Sequence, residues 1–327
     1  MTKRVLITRK IHGSAEELLR AEGCEALVSP HDRPLAADEL RRMAAEADGV
    51  LCLLNDRIDT ALLEAAPRAR VFANYAVGFD NMDLDAATQR GVALSNTPDV
   101  LTGATAEIAW ALLFAAARRI AEGDRMVRAG QFMGWAPLML LGHDIAGRTL
   151  GIVGAGRIGA AMARRARGFD MRILYTNRSG ESAAMKELGA THVALDELLR
   201  DSDFVSIHAP LTPSTRHLIG APQLAMMKPN AVLVNTGRGP VIDEAALAEA
   251  LRSGRIAAAG LDVYEREPAV EPALLGLDNV VLAPHIGSAT HEARADMARL
   301  AAANILDVFA GRAPRTCINP EYVKQAR

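Results

Sequence analysis

Short apolar runs rich in β-branched residues and leucine alternate along the chain with longer, alanine-rich and charged segments. The runs are Val5–Thr8, Val50–Leu54, Val71–Ala73, Val92–Ser95, Thr149–Val153, Arg172–Tyr175, Phe204–His208, Ala231–Asn235, Ala258–Asp262 and Val280–Ala283. Runs that stay apolar instead of alternating suit strands buried on both faces of a parallel sheet, and the segments between them suit connecting helices. Four runs precede residue 98 and six follow residue 148, so the pattern predicts two groups of βα units. Between the groups, Leu101 to Ala129 has apolar residues at helical spacing and predicts one connecting helix. The stretch GQFMGWAPLMLLGHD that follows it predicts a loop, and Glu292 to Ala310 predicts a last helix that stops at Gly311. No internal repeat or low-complexity tract interrupts this pattern.

A length of 327 residues fits two domains of ordinary size, and half of the residues are hydrophobic, enough for two cores. The net charge of −2 offers no footprint for nucleic acid or an anionic membrane. The most apolar helical stretch, Ala109 to Ala117, falls short of the ~20 residues that span a bilayer. The terminus MTKRVLITRK lacks the apolar region of a signal peptide, so a cytoplasmic location is expected. Cys24, Cys52 and Cys317 are scattered, which predicts neither disulfides nor a cysteine metal site. His285 and His291 are not at zinc-ligand spacing, and no metal is expected.

The chemistry begins at Gly154-Ala-Gly156-Arg157-Ile158-Gly159, between the strand-like LGIV and the helix-like AAMARRA. A glycine loop in that context is a dinucleotide-binding signature. The first glycine makes the tight turn, the second admits the pyrophosphate, and the third lets helix and strand pack closely. The helix N-terminus then offers N–H groups to the phosphates. About 20 residues on, a site for NAD(H) usually carries an acid for the ribose 2′-OH. Here Asn177, Arg178 and Ser179 follow the strand RILY instead. A carboxylate would repel a 2′-phosphate and an arginine would pair with it, so NADP(H) is the preferred cofactor, with NAD(H) as the alternative.

Three motifs stand where later strands end: NTGRG with Arg238, LDVYEREP with Glu267, and PHIGSAT with His285. Ligands of open parallel sheets bind beyond those strand ends. Reduction of an oxo acid needs a cation for the carboxylate and carbonyl, and a proton donor. Arginine suits the first need, and a histidine beside a glutamate suits the second. Singly, each of these residues is more often structural; in this order after a glycine loop they form a constellation. Of the remaining histidines, His12, His31, His143 and His192 read as surface or loop residues, and His208 and His217 as secondary candidates for the cofactor side.

The motifs NYAVGFDNMD, NTPDVLTGATAE, GWAPLMLLGHDIAGRTLGIVGAGRIG, ILYTNR, HAPLT, NTGRGPVID, GLDVYEREP and APHIGSAT make the chain resemble the D-isomer-specific 2-hydroxyacid dehydrogenase family over almost its whole length, most of all its glyoxylate/hydroxypyruvate reductases. The resemblance implies an α/β fold of two domains, each with a parallel sheet flanked by helices. The cofactor domain, 99–288, would be Rossmann-type, and the substrate domain, 1–98 plus 289–327, flavodoxin-like. It implies Arg238 on the substrate, His285 as acid/base and Glu267 as its partner. It places the amides of Val77 and Gly78 on the substrate carboxylate, with Leu54 and Ser288 near the substrate and Asp262 at the nicotinamide amide. It adds Pro210 and Thr215 to the cofactor side. It also implies a homodimer in which Trp135 enters the partner's active site. The expected activity is reduction of a small 2-oxo acid such as glyoxylate or hydroxypyruvate. The alternatives are a longer acid such as 2-ketogluconate or, in another class, a dinucleotide-sensing corepressor. Tyr264 stands where relatives often have Phe and should be tolerated.

Overall fold

All ten apolar runs form strands in a computed structural model, which describes residues 2–324. They are joined by two strands that the pattern missed. The strands are β1 (Arg4–Ile7), β2 (Glu25–Val28), β3 (Gly49–Cys52), β4 (Val71–Asn74), β5 (Ala93–Ser95), β6 (Thr149–Val153), β7 (Arg172–Thr176), β8 (Thr191–His192), β9 (Phe204–Ile207), β10 (Val232–Asn235), β11 (Ala258–Leu261) and β12 (Val280–Leu282). The missed ones, β2 and β8, are both sheet edges, with exposed or half-buried residues in place of a continuous apolar run.

The chain divides into two units, with boundaries between Leu101 and Thr102 and between Gly287 and Ser288. The first unit takes the residues before the one boundary and after the other. Residue 1 and residues 325–327, which end the expected 1–98 and 289–327 segments, lie outside the described residues. Its sheet is parallel, in the order β2-β1-β3-β4-β5, the flavodoxin-like arrangement. β3 and β4 are buried at every position, as continuous apolar runs require. The helix His291–Phe309 belongs to this unit and is capped by Thr290 Oγ1, which accepts the Ala293 amide. The tail beyond it bridges back to β5: Ile318 N donates to Leu94 O at 2.9 Å and Leu94 N to Asn319 Oδ1 at 2.8 Å.

The second unit has a seven-stranded parallel sheet, β12-β11-β10-β9-β6-β7-β8. Counted from β6, this is the Rossmann order extended by one strand, and the strand order reverses between β6 and β9. The single helix expected over Leu101–Ala129 is in fact two, Thr102–Ala117 and Ile120–Arg128. At the break, a distant loop takes over the helix end. His143 N donates to the Ala117 carbonyl at 2.9 Å, in place of an amide one turn further along the helix. Arg119 turns left-handed at φ 54° and holds Glu122 through both Nε and Nη2. Thr102–Ala117 is largely buried, and Gly260 of β11 makes room for it, since a Cβ there would lie 2.8 Å from Leu112 Cβ. Ile120–Arg128 buries no residue. Among the described residues, no helix is long and apolar enough to cross a membrane, and no group of three His, Cys, Asp or Glu is arranged to hold a metal.

Candidate active site

The glycine loop leaves β6 at the point where the strand order reverses. Gly154 is left-handed at φ 95°, and a Cβ there would sit 2.6 Å from Ala209 N, in the loop after β9. A Cβ on Gly159 would sit 2.4 Å from the Gly154 carbonyl, so the helix Arg157–Ala166 packs directly on the turn. Above Gly156 a Cβ would meet nothing within 4 Å, and no side chain caps the helix. The loop therefore combines close packing behind with open backbone in front, which fits a pyrophosphate.

The Gly154 amide donates to Thr176 O, the last residue of β7, at 3.0 Å. This ties the glycine loop to the turn that carries the expected 2′-phosphate residues. In that turn Asn177 Nδ2 donates to Ser179 Oγ at 2.8 Å, and Arg178 is exposed. The next loop of the sheet holds Pro210 and Thr215, closed on each other by a 2.7 Å bond from Thr215 Oγ1 to Pro210 O.

Three strand ends build the catalytic candidates. Asn235, buried at the end of β10, accepts the Gly237 amide at 3.0 Å through Oδ1 and donates to Arg238 O at 3.0 Å through Nδ2. One side chain thereby fixes the backbone on both sides of the Arg238 position. Gly239 lies against the loop after β11, where a Cβ would fall 1.8 Å from Tyr264 C. That loop carries Glu267, whose Oε1 accepts the Tyr264 amide at 3.0 Å and whose Oε2 lies 2.8 Å from His285 Nδ1. Burial pushes the Glu267 carboxyl up, but the His285 hydrogen bond and charge, the Tyr264 amide and the Arg238 charge outweigh it, and the net shift is downward. Glu267 is thus a carboxylate at neutral pH. With Nδ1 on Glu267, Nε2 is the His285 nitrogen left for a substrate oxygen.

His285 itself is left-handed at φ 55°, uncommon for a residue with a side chain. Its amide donates to Ala283 O at 3.1 Å, and Tyr264 Oη donates to the same carbonyl at 2.8 Å. The tyrosine hydroxyl thus has a half-buried acceptor, which accounts for Tyr in place of Phe. Asp262 braces the other side. Both of its oxygens accept amides, from Ile286 and Gly287, at 2.7 Å each. Its carboxylate is therefore first a holder of the His285 loop, a role the sequence did not reveal.

His208 has both ring nitrogens engaged by hydroxyls, Nε2 with Ser206 Oγ at 2.9 Å and Nδ1 with Thr236 Oγ1 at 3.2 Å. Burial lowers its pKa to about 4, so it is a neutral, structural histidine. His217 pairs with Glu265 at 2.8 Å.

Four candidates, Leu54, Val77, Gly78 and Ser288, belong to the first unit. There the loop after β4 is held by its carbonyls. Thr97 N donates to Ala76 O at 2.9 Å, Asn96 Nδ2 to Val77 O at 2.7 Å, and Asn74 Nδ2 to Gly78 O at 2.8 Å. Among the described residues, the Val77 and Gly78 amides donate to nothing. Trp135 belongs to the second unit and is 83% exposed, beside Phe132, Met133 and Leu138, also exposed.

Sequence reasoning missed Asn74, Asn96 and Asn235 as supports. A signal was present: each ends or directly follows an apolar strand, where a buried amide must be satisfied by nearby backbone.

Comparison with known proteins is consistent with this geometry. The model of the D-isomer specific 2-hydroxyacid dehydrogenase NAD binding domain matches residues 110–287. A glyoxylate reductase of Thermococcus onnurineus is 51% identical over 327 residues, 99% of this chain and 98% of its own. The crystal structure of a glyoxylate reductase from Paecilomyes thermophila is similar at TM-score 0.87 and 35% identity, over 98% of this chain and 99% of that one. An NADPH-dependent glyoxylate/hydroxypyruvate reductase from Sinorhizobium meliloti, solved with NADP and malonate, is similar at TM-score 0.85 and 34% identity, over 97% of each chain.

Proposed function

The chain belongs to the D-isomer-specific 2-hydroxyacid dehydrogenase family, and from that premise we propose that it reduces glyoxylate or hydroxypyruvate to the 2-hydroxy acid with NADPH. The observation that carries the reading is the Glu267–His285 pair at 2.8 Å, whose loop packs against the turn bearing Arg238. Bound NADPH supplies the hydride to the carbonyl carbon. Arg238 pairs its planar fork with the substrate carboxylate and draws electron density toward the carbonyl oxygen. His285, charged and held by Glu267, donates a proton from Nε2 to that oxygen. One hydride and one proton convert C=O to CH–OH, and the imidazole is left neutral. The Val77 and Gly78 amides hold the carboxylate, with Leu54 and Ser288 bordering the substrate.

The cofactor preference rests on the turn after β7, where Arg178 and the Asn177–Ser179 pair replace an acid. A 2′-phosphate there would gain a charge-assisted bond and meet no repulsion. Pro210, Thr215 and Asp262 complete the cofactor side. The proposal extends to a homodimer. The segment around Trp135 exposes Phe132, Met133 and Leu138 as well, and a second copy would cover these apolar side chains.

The test is kcat/KM for NADPH and for NADH with saturating glyoxylate, hydroxypyruvate and 2-ketogluconate. A clear preference for NADPH with either short acid supports the proposal. Preference for NADH refutes the cofactor reading, preference for 2-ketogluconate refutes the substrate reading, and cofactor binding without turnover on any acid favours a sensor.

A further inference from the structure

We propose that Asn96 is a positioning residue for the substrate carboxylate, acting through the peptide units that end in the Val77 and Gly78 amides. This rests on the reading that those two amides hold the carboxylate. A peptide is planar and trans, so its N–H points away from its C=O. The Val77 amide shares a peptide with Ala76 O, which accepts the Thr97 amide at 2.9 Å. The Gly78 amide shares a peptide with Val77 O, which accepts Asn96 Nδ2 at 2.7 Å. Two adjacent residues at the end of β5 therefore fasten both carbonyls on one side and turn both N–H groups to the other. A donor on a carbonyl also polarises the N–H of the same peptide, making it a better donor in turn. The amide orientation of Asn96 is fixed by its partner, because only Nδ2 can face a carbonyl oxygen.

Asn96 is itself held from behind. It is 7% exposed, and its carbonyl accepts Thr316 Oγ1 at 2.6 Å and Asn304 Nδ2 at 3.4 Å. Asn304 Nδ2 also donates to Thr316 Oγ1 at 2.8 Å, and Asn304 is fully buried in the helix His291–Phe309. The last helix and the tail thus brace the clamp, so the C-terminal segment of this unit has a task in substrate binding. Asn74 restrains the third carbonyl, that of Gly78.

The experiment compares glyoxylate with glycolaldehyde, an aldehyde without the carboxylate, in wild type and Asn96→Ala. The expected result is a glyoxylate KM raised about tenfold, the scale of one lost hydrogen bond to a charge-binding group, with NADPH KM and glycolaldehyde kcat/KM within about twofold of wild type. An equal loss on both aldehydes, or no change on glyoxylate, overturns the inference. A Gly78 amide-to-ester replacement separates the two levels. If the ester raises glyoxylate KM and Asn96→Ala does not, only the role of Asn96 fails. If the ester leaves KM unchanged, the reading of the amides fails. Should Asn96→Ala not fold, Thr316→Val loosens the brace while keeping Nδ2, and a glyoxylate KM raised by about threefold is expected; an unchanged KM there overturns the inference.

Discussion

Replacing Glu267 by glutamine removes one charge and leaves the shape. The Tyr264 amide, 3.0 Å from Oε1, can be met only by the carbonyl oxygen of the glutamine, so its NH2 group must face His285. A charged imidazole then loses a carboxylate at 2.8 Å and meets a donor in its place. The lost attraction follows from Coulomb's law at that distance. The two side chains are 28% and 30% exposed, so solvent screening is substantial. An effective dielectric of about 40–80 gives about 1.5–3 kcal/mol. If the transition state needs His285 charged, kcat/KM for glyoxylate at pH 7 falls by about 10- to 100-fold. NADPH affinity, read by fluorescence, and the melting midpoint should barely move. Glu267→Asp keeps the charge on a shorter arm and should fall between. A glutamine variant within threefold of wild type, with NADPH binding intact, would refute the electrostatic argument. A parallel loss of NADPH affinity would show that the loop had shifted instead.

Arg178→Ala should raise KM for NADPH by about tenfold or more and leave KM for NADH nearly unchanged; equal effects on both would remove the arginine from 2′-phosphate recognition. Burial holds His208 at about 4, below its ordinary 6.5, so the folded state resists protonation: stability is full above pH 6.5 and falls as pH drops toward 4, by up to about 3 kcal/mol. Urea midpoints at pH 7 and pH 4.5 read this loss, and His208→Gln should flatten the slope. Gly239→Ala would place a methyl 1.8 Å from Tyr264 C, so the backbone must move at a cost of about 1–3 kcal/mol. The melting midpoint should drop by several degrees and turnover should fall with it; wild-type values for both would contradict the packing described.

Much of the fold was legible because its strands are buried on both faces. β3, β4, β9 and β10 are buried at every position and mostly apolar, and such runs announce themselves. β2 and β8 escaped notice because an edge strand needs no second apolar face, and its pairing is decided by the neighbouring strand. The break at Arg119 escaped for a different reason. The Arg118-Arg119 pair breaks the apolar spacing, but two charged residues do not by themselves end a helix, and the amide that caps Ala117 comes from His143, in a loop whose position no local pattern encodes. At the site, Glu267 and His285 were legible as a pair because each follows a strand end in the same sheet. Asp262 is expected at the nicotinamide amide from the resemblance; that its two oxygens also hold the Ile286 and Gly287 amides shows only in the structure. Distances of that kind depend on loop paths, which residue types alone leave open.

The left-handed backbone of His285 sets stability against turnover at a single codon. At φ 55° a side chain carries a penalty of about 1–2 kcal/mol that glycine would not. A library screened only for heat resistance would therefore drift toward glycine at position 285 and discard the proton donor proposed above, which on that proposal leaves inert folds. Thermostabilisation of this chain should hold that position fixed and look instead to its exposed helix Ile120–Arg128, where no buried residue is at stake.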